Sequence, residues 1–327
     1  MEEIQKELAE IQEKCPKIDG TQLIACVPAI VTVKIINNEF KTLSVSFQFP
    51  PEYPEEPVVI ELKSKVLSDR LLDGLGRVCE QEAKKYVGQP HIITMVKFIK
   101  KFIEENPLCV CSDEIHFIKK DLMKDEDKLI LKQKTSQVVA KLREGGYYLN
   151  VRFTIPDLYP TNQIQIEVTD SNFPELLKQN FLAQAIEISR QCVQPPLKKN
   201  PKAPPFQPKP ALRPVMEFLV REAVRNFPGG KCPCCGKDAL PADPKDVCND
   251  PESGVFLERM YCGHLFHHEC LDKYMKIPPF TGGKKCPSCG NRIYHEKWKV
   301  SPQLAEARWA HKEARQRELS EVQDFFE

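Results

Sequence analysis

The sequence predicts an α+β chain in which two similar sheet-and-helix units precede a small cysteine-rich module and a closing helix. Three observations predict it. A turn motif led by alternating apolar residues occurs twice, as LSVSFQFPPEYP at 43–54 and LNVRFTIPDLYP at 149–160. Eight cysteines and histidines between 232 and 289 fall at paired spacings. Beyond 300 the chain becomes rich in Ala, Glu, Gln and Arg, a helix-forming composition.

The elements follow in order. Ile4, Leu8 and Ile11 recur at helical spacing and open the first unit. A strand-like stretch over 23–36 comes next, then the Asn37-Asn38 turn and the strand that carries the first motif. Val58, Ile60 and Leu62 alternate, which predicts a strand with one buried face. Ser68-Asp69 begins a helix bearing Leu71, Leu72 and Leu75, and Gly88-Gln89-Pro90 stops it. A further helix carries Ile92, Met95, Val96, Ile99 and Ile103.

The second unit repeats the series. Ile115, Ile118 and Leu122 read as helix, 129–142 as strand, Gly145-Gly146 as turn, and Ile164, Ile166 and Val168 as an alternating strand. Helices over 173–188 and 215–224 take the last two places, Met216-Glu217-Phe218-Leu219 matching Val96-Lys97-Phe98-Ile99. Between them the Pro-rich stretch 195–214 predicts an extended surface loop. Each unit thus reads as an antiparallel meander of three or four strands flanked by helices. The expected domains are 1–108, 112–227, 228–300, and a helix over 301–327 that starts at the Ser301-Pro302 cap and bears Leu304, Trp309 and Leu319.

Composition narrows the class. A chain of 327 residues holds two or three domains. Its net charge of +1 gives no electrostatic reason to expect nucleic acid or an anionic membrane as partner. The start MEEIQKELAE has no apolar signal-peptide core, and no apolar run approaches a membrane span. The expected compartment is cytosol or nucleus, where thiols stay reduced and clustered cysteines mean metal more often than disulfide.

Cys232, Cys235, Cys262, His264, His267, Cys270, Cys286 and Cys289 form four pairs, enough for two tetrahedral zinc ions. Zinc with four protein ligands has no position for a catalytic water, so the expected role is structural. Metal affinity would then be folding energy, about 10–16 kcal/mol for structural zinc in small peptides. Two neighbours compete: His268 beside His267, and Cys234 beside Cys235. The x2 spacings favour His267 with Cys270 and Cys235 with Cys232. Cys248 has no close second thiol and is expected to be free.

The motif Tyr53-Pro54-Glu55-Glu56-Pro57, with Leu71-Leu72, Gly88-Gln89-Pro90 and Ile92-Ile93, resembles the RWD domain family. The second copy keeps Tyr159-Pro160 but has Gln163 where Pro57 stands, so it is a divergent member. The resemblance implies a fold similar to ubiquitin-conjugating enzymes without their nucleophile. Cys79, in the helical pattern GRVCEQEAKKY with no His-Pro-Asn before it, reads as structural.

The order of the eight ligands resembles a RING finger. That likeness implies an interleaved cross-brace, Cys232, Cys235, His267 and Cys270 at one zinc and Cys262, His264, Cys286 and Cys289 at the other. It also implies conjugating-enzyme contacts at Cys234, Leu271, Tyr274 and Pro287, Leu271 reading equally as core, and a ubiquitin contact at Arg292. The whole architecture resembles the tandem RWD–RING ubiquitin ligases of the Fanconi anaemia core-complex type. The implied function is an E3 ligase with no covalent catalytic residue. It binds a ubiquitin-loaded conjugating enzyme and promotes transfer to a substrate lysine by proximity and orientation. Its RWD domains recruit a protein substrate or complex partner. The alternative is a non-enzymatic zinc-containing adaptor or scaffold of a ubiquitin-related complex. Cys234, smaller than the usual aliphatic, and the displaced Arg292 favour it.

Overall fold

A computed structural model describes residues 2–196, 204–298 and 300–326. Helix α1 (Glu2–Lys14) buries Leu8 and Ile11 along one face. It leads into the strands β1 (Thr21–Val27), β2 (Ile30–Asn38), β3 (Lys41–Gln48) and β4 (Val59–Lys63), an antiparallel sheet in that order. The expected single strand over 23–36 is instead a hairpin. Pro28 cannot donate to a ladder, and the chain reverses at Pro28-Ala29. Alternation sends Val31, Val33 and Ile35 of β2 and Leu43, Val45 and Phe47 of β3 to one buried face.

Helix α2 (Asp69–Ala83) is capped by Ser68, whose Oγ accepts the Leu71 N–H. Helix α3 (Ile92–Glu105) follows the Gly88-Gln89-Pro90 turn, where Gly88 has φ +82°. Leu72, Leu75, Met95, Val96, Ile99 and Ile103 complete the core against the sheet. Cys79 lies in that core with no exposed surface, and burial pushes its thiol up to about 12.

The next element, α4 (Ser112–Phe117), continues through Ile118–Leu122 and ends where Met123 N–H reaches Ile118 O. Strands β5 (Lys128–Lys132), β6 (Gln137–Glu144), β7 (Tyr147–Thr154) and β8 (Gln165–Ser171) form a second sheet with the same sequential order. The stretch expected as one strand over 129–142 is interrupted at Gln133–Thr135, and Ser136 takes a left-handed φ of +50°. Helix α5 (Glu175–Val193) and helix α6 (Leu212–Glu217), extended through Phe218–Val224, follow. The Pro-rich stretch lies partly outside the described residues; 204–211 is irregular. It ends earlier than expected, because Pro214 sits in the first turn of α6, where no N–H is needed.

The remaining elements are the short pair β9 (Leu257–Arg259) and β10 (Leu265–His267), α7 (His268–Met275) and α8 (Pro302–Phe326). By compactness the chain divides into two units, one of Met1–Lys141, Asn150–Thr169 and Leu182–Leu219, the other of Leu142–Leu149, Asp170–Phe181 and Val220–Glu327. In the second, rings pack in series from Tyr147 through Phe173 and Phe181 to Phe227, and the Tyr147 hydroxyl donates to Pro241 O at 2.7 Å.

One polar device is used twice. Tyr53-Pro54 and Tyr159-Pro160 are both cis. The Tyr53 hydroxyl donates to Glu7 Oε2, and Glu7 Oε1 accepts the N–H groups of His91 at 3.0 Å and Ile92 at 2.9 Å, at the start of α3. In the second copy Tyr159 donates to Glu114 Oε2 at 2.6 Å, and Glu114 Oε1 accepts the Arg213 N–H at 2.8 Å in the first turn of α6. The Tyr159 oxygen itself accepts from Ala211 N at 2.7 Å and Leu212 N at 3.1 Å. Each carboxylate therefore satisfies N–H groups that a helix N-terminus leaves open, where the helix dipole favours negative charge. Burial still outweighs those bonds at Glu114 and holds its pKa above the ordinary value.

Three outcomes are expected. Glu7→Ala leaves a tyrosine hydroxyl and two helix N–H groups without their acceptor and should cost about 2–4 kcal/mol in urea unfolding. Tyr53→Phe should cost about 1 kcal/mol. Glu114 has a higher pKa folded than unfolded, so its contribution is complete below about 4.5 and is lost as pH rises through the raised value. Wild type should accordingly lose stability relative to Glu114→Gln over that rise; a pH-independent gap between the two urea midpoints would contradict the assignment.

Candidate metal centre

Two cysteine pairs sit on the same kind of turn. After Cys232, the Gly236 N–H returns to Cys232 O and the Cys232 N–H to Lys237 O, each at 2.8 Å. After Cys286, the Gly290 N–H returns to Cys286 O at 2.8 Å and the Cys286 N–H to Asn291 O at 2.7 Å. Gly236 and Gly290 both have φ +71°, a left-handed conformation that glycine adopts without cost from a side chain. These turns aim Cys232 with Cys235, and Cys286 with Cys289, to one side. The third pair, Cys262 and His264, lies in the β9–β10 turn, held by Gly263 N–H to Met260 O at 2.8 Å and Met260 N–H to His264 O at 3.0 Å. The fourth, His267 and Cys270, spans the end of β10 and the first turn of α7.

These pairs assemble alternately. The ligand atoms of Cys232, Cys235, His267 and Cys270 lie within 4.8 Å of one another, and so do those of Cys262, His264, Cys286 and Cys289. His267 presents Nδ1 to its cluster, 3.5 Å from Cys235 Sγ and 3.8 Å from Cys270 Sγ, while its Nε2 donates to Asp238 O at 3.1 Å. That second bond fixes the tautomer and leaves the Nδ1 lone pair for an ion. His264 Nδ1 is buried with no hydrogen-bond partner among the described residues. Burial, together with the adjacent Cys235 and Cys232, pushes the Cys270 thiol up to about 12, so that thiol ionises readily only beside a cation. Both sets fit a tetrahedral ion, and sulfur with imidazole is the donor chemistry of zinc.

The module's own core is small. Met260, Phe266, Leu271 and Ile293 pack with Cys232 and Cys286, one residue from each cluster. Leu271, expected at the conjugating-enzyme contact, is wholly buried there; it supports the surface from beneath and offers none of its own. Cys234 and Pro287 are exposed, as is Arg292, whose guanidinium lies 5.2 Å from the Tyr294 ring. Tyr274 is half-buried and donates its hydroxyl to Lys285 O at 2.7 Å. Cys234 is within electrostatic reach of both Tyr274 and Lys284. Cys248 joins neither cluster.

His268 belongs to a different network. Its Nδ1 is 2.8 Å from Oε1 of the buried Glu258, whose Oε2 is 3.2 Å from His295 Nε2. The Trp298 ring packs on both imidazoles, at 5.6 and 4.6 Å, and its Nε1 donates to Asp272 Oδ1 at 3.1 Å. Sequence reasoning missed this network. The one signal for it was a glutamate alternating with apolar residues beside a metal-ligand pair.

Among the described residues, no helix is long and apolar enough to cross a membrane. Residues 3–103 match the RWD domain family, so the chain carries an RWD domain at its N-terminus. The chain is also similar to a protein of Arabidopsis thaliana named "Probable E3 ubiquitin-protein ligase RHA1A", 39% identical over 59 residues. That match covers 16% of this chain and spans 35% of the relative's length.

Purified protein should hold zinc at both clusters, read by a metallochromic dye after thiol modification. His267→Ala should release one ion. His268→Ala should retain both, since its partner is Glu258; loss of an ion there would reverse the ligand assignment.

Proposed function

We propose that this protein is a RING-type E3 ubiquitin ligase that works in the cytosol or nucleus. The observation that carries the reading is the interleaving of two closed Cys/His clusters in a chain that also carries an N-terminal RWD domain. The partial likeness to a named E3 ubiquitin-protein ligase supports it. On this reading 228–300 is the RING module and 112–227 is a second, divergent RWD domain. The repeated strand order and the repeated Tyr–Glu device support that second assignment.

Bound zinc would hold the module's shape, with every ligand position taken by protein. The chain's own residues do the rest by position. Cys234, Tyr274 and Pro287 supply the surface for a conjugating enzyme, with Tyr274 steadied by its bond to Lys285 O. Arg292 would reach the carried ubiquitin. Restraint of the thioester near a substrate lysine raises the rate through orientation, with no covalent step on this chain. The RWD domains would recruit substrate or a complex partner. The adaptor reading draws on Cys234 and on the burial of Leu271, which together leave less apolar surface for a conjugating enzyme.

In vitro ubiquitination with a panel of conjugating enzymes separates the two. Wild type should form chains with at least one enzyme. Tyr274→Ala should slow that reaction about tenfold, the loss of one well-packed aromatic contact. Cys262→Ala should abolish it. Chain formation no greater than the ligase-free background across the panel would leave the adaptor reading standing.

A further inference from the structure

A cavity of about 980 Å³ opens between the cysteine-rich module and the first turns of α8. Pro302, Ala305, Arg308, Trp309 and Lys312 of α8 line it, spaced so that one helix face forms the wall. Phe280, Tyr294 and Trp298 line the module side, so both tryptophans of the chain face this space. Trp298 is fixed in place by Asp272 and by the two histidines on which it packs.

The charges around the cavity are uneven. Its carboxylates are already engaged: Asp272 pairs with Lys276 at 2.7 Å and accepts from Trp298, and Glu252 is 4.0 Å from Lys297. Lys284 donates to Ile277 O at 2.5 Å. Arg292, Arg308 and Lys312 have no carboxylate partner among the described residues. In a chain of net charge +1, three uncommitted cations around one aromatic-walled cavity are a local excess. An anion with an apolar body complements both features. A nucleic-acid backbone would instead call for a run of cations along an extended surface.

We propose that this cavity docks an acidic peptide segment of a partner protein. An aromatic or aliphatic side chain enters between Trp298 and Trp309, and flanking carboxylates meet Arg292, Arg308 and Lys312. The proposal does not rest on ligase activity.

The test uses the full chain and three fluorescein-labelled probes: a peptide alternating Glu with Phe, one alternating Lys with Phe, and oligothymidylate. Anisotropy should show saturable binding of the acidic peptide, weaker at high salt and accompanied by a change in tryptophan fluorescence. Joint reversal by Arg308→Glu and Lys312→Glu should weaken it about tenfold. Those two side chains are on the exposed helix, so zinc content should stay at the wild-type level and exclude misfolding. Trp309→Ala should weaken binding without altering its salt dependence. Equal binding of the basic peptide, tighter binding of oligothymidylate, indifference to the reversal, or no binding of the acidic peptide would each overturn the proposal.

Discussion

Glu7 and Glu114 are the carboxylates on which the arrangement of each sheet with its helices depends. A carboxylate removed from water is costly unless every lone pair has a donor. Here the donors come from two places distant in sequence: the hydroxyl of the Tyr-Pro turn and the open N–H groups of a helix start. This placement of the elements brings those donors to the carboxylate. Helix α1 must lie beside the turn after β3, and α3 must begin where Glu7 ends. The second copy obeys the same condition although its helix α6 starts far later in the chain, beyond the Pro-rich stretch. A long insertion is tolerated there because it leaves the helix start itself in place.

The cysteine-rich module solves the same problem with other means. Its apolar interior is a handful of side chains, too few to hold a fold of this length. Tight turns at Cys232–Gly236 and Cys286–Gly290, rather than a broad sheet, set its geometry. Around that frame the polar interior is unusually engaged. Glu258 is bracketed by His268 and His295, and Trp298 closes over both. That closure also builds one wall of the cavity beneath α8.

What could be read in the sequence follows from the range of the interactions involved. The ligand pairs were legible because their geometry is local: two residues between cysteines, then a glycine, describe one turn. The strands were legible wherever alternation persisted, as in Leu43, Val45 and Phe47. The break at Pro28 was not, because apolar residues run across it and mask a change of strand; the break at Ser136 falls in the polar run 132–137, where alternation lapses and marks no strand end. Tyr53 and Tyr159 stood out, but their partners did not. Glu7 and Glu114 sit on amphipathic helices among solvent-facing acids, and only tertiary packing sets them apart. At Leu271 the sequence leaves two apolar roles open, since a position on a short helix does not reveal whether it serves surface or interior; here the side chain is buried.

The alternation of the metal-ligand pairs along the chain has an entropic consequence. The segment from Cys235 to His267 is one closed loop, and the segment from His264 to Cys286 is another, and the two overlap. Closing either shortens the free chain that the other has left to order, so the second closure loses less conformational freedom than the first. Two ions held in this way would fill with positive cooperativity, each loaded site making the other easier to load. The fold would then respond to metal supply more steeply than two independent fingers of the same composition.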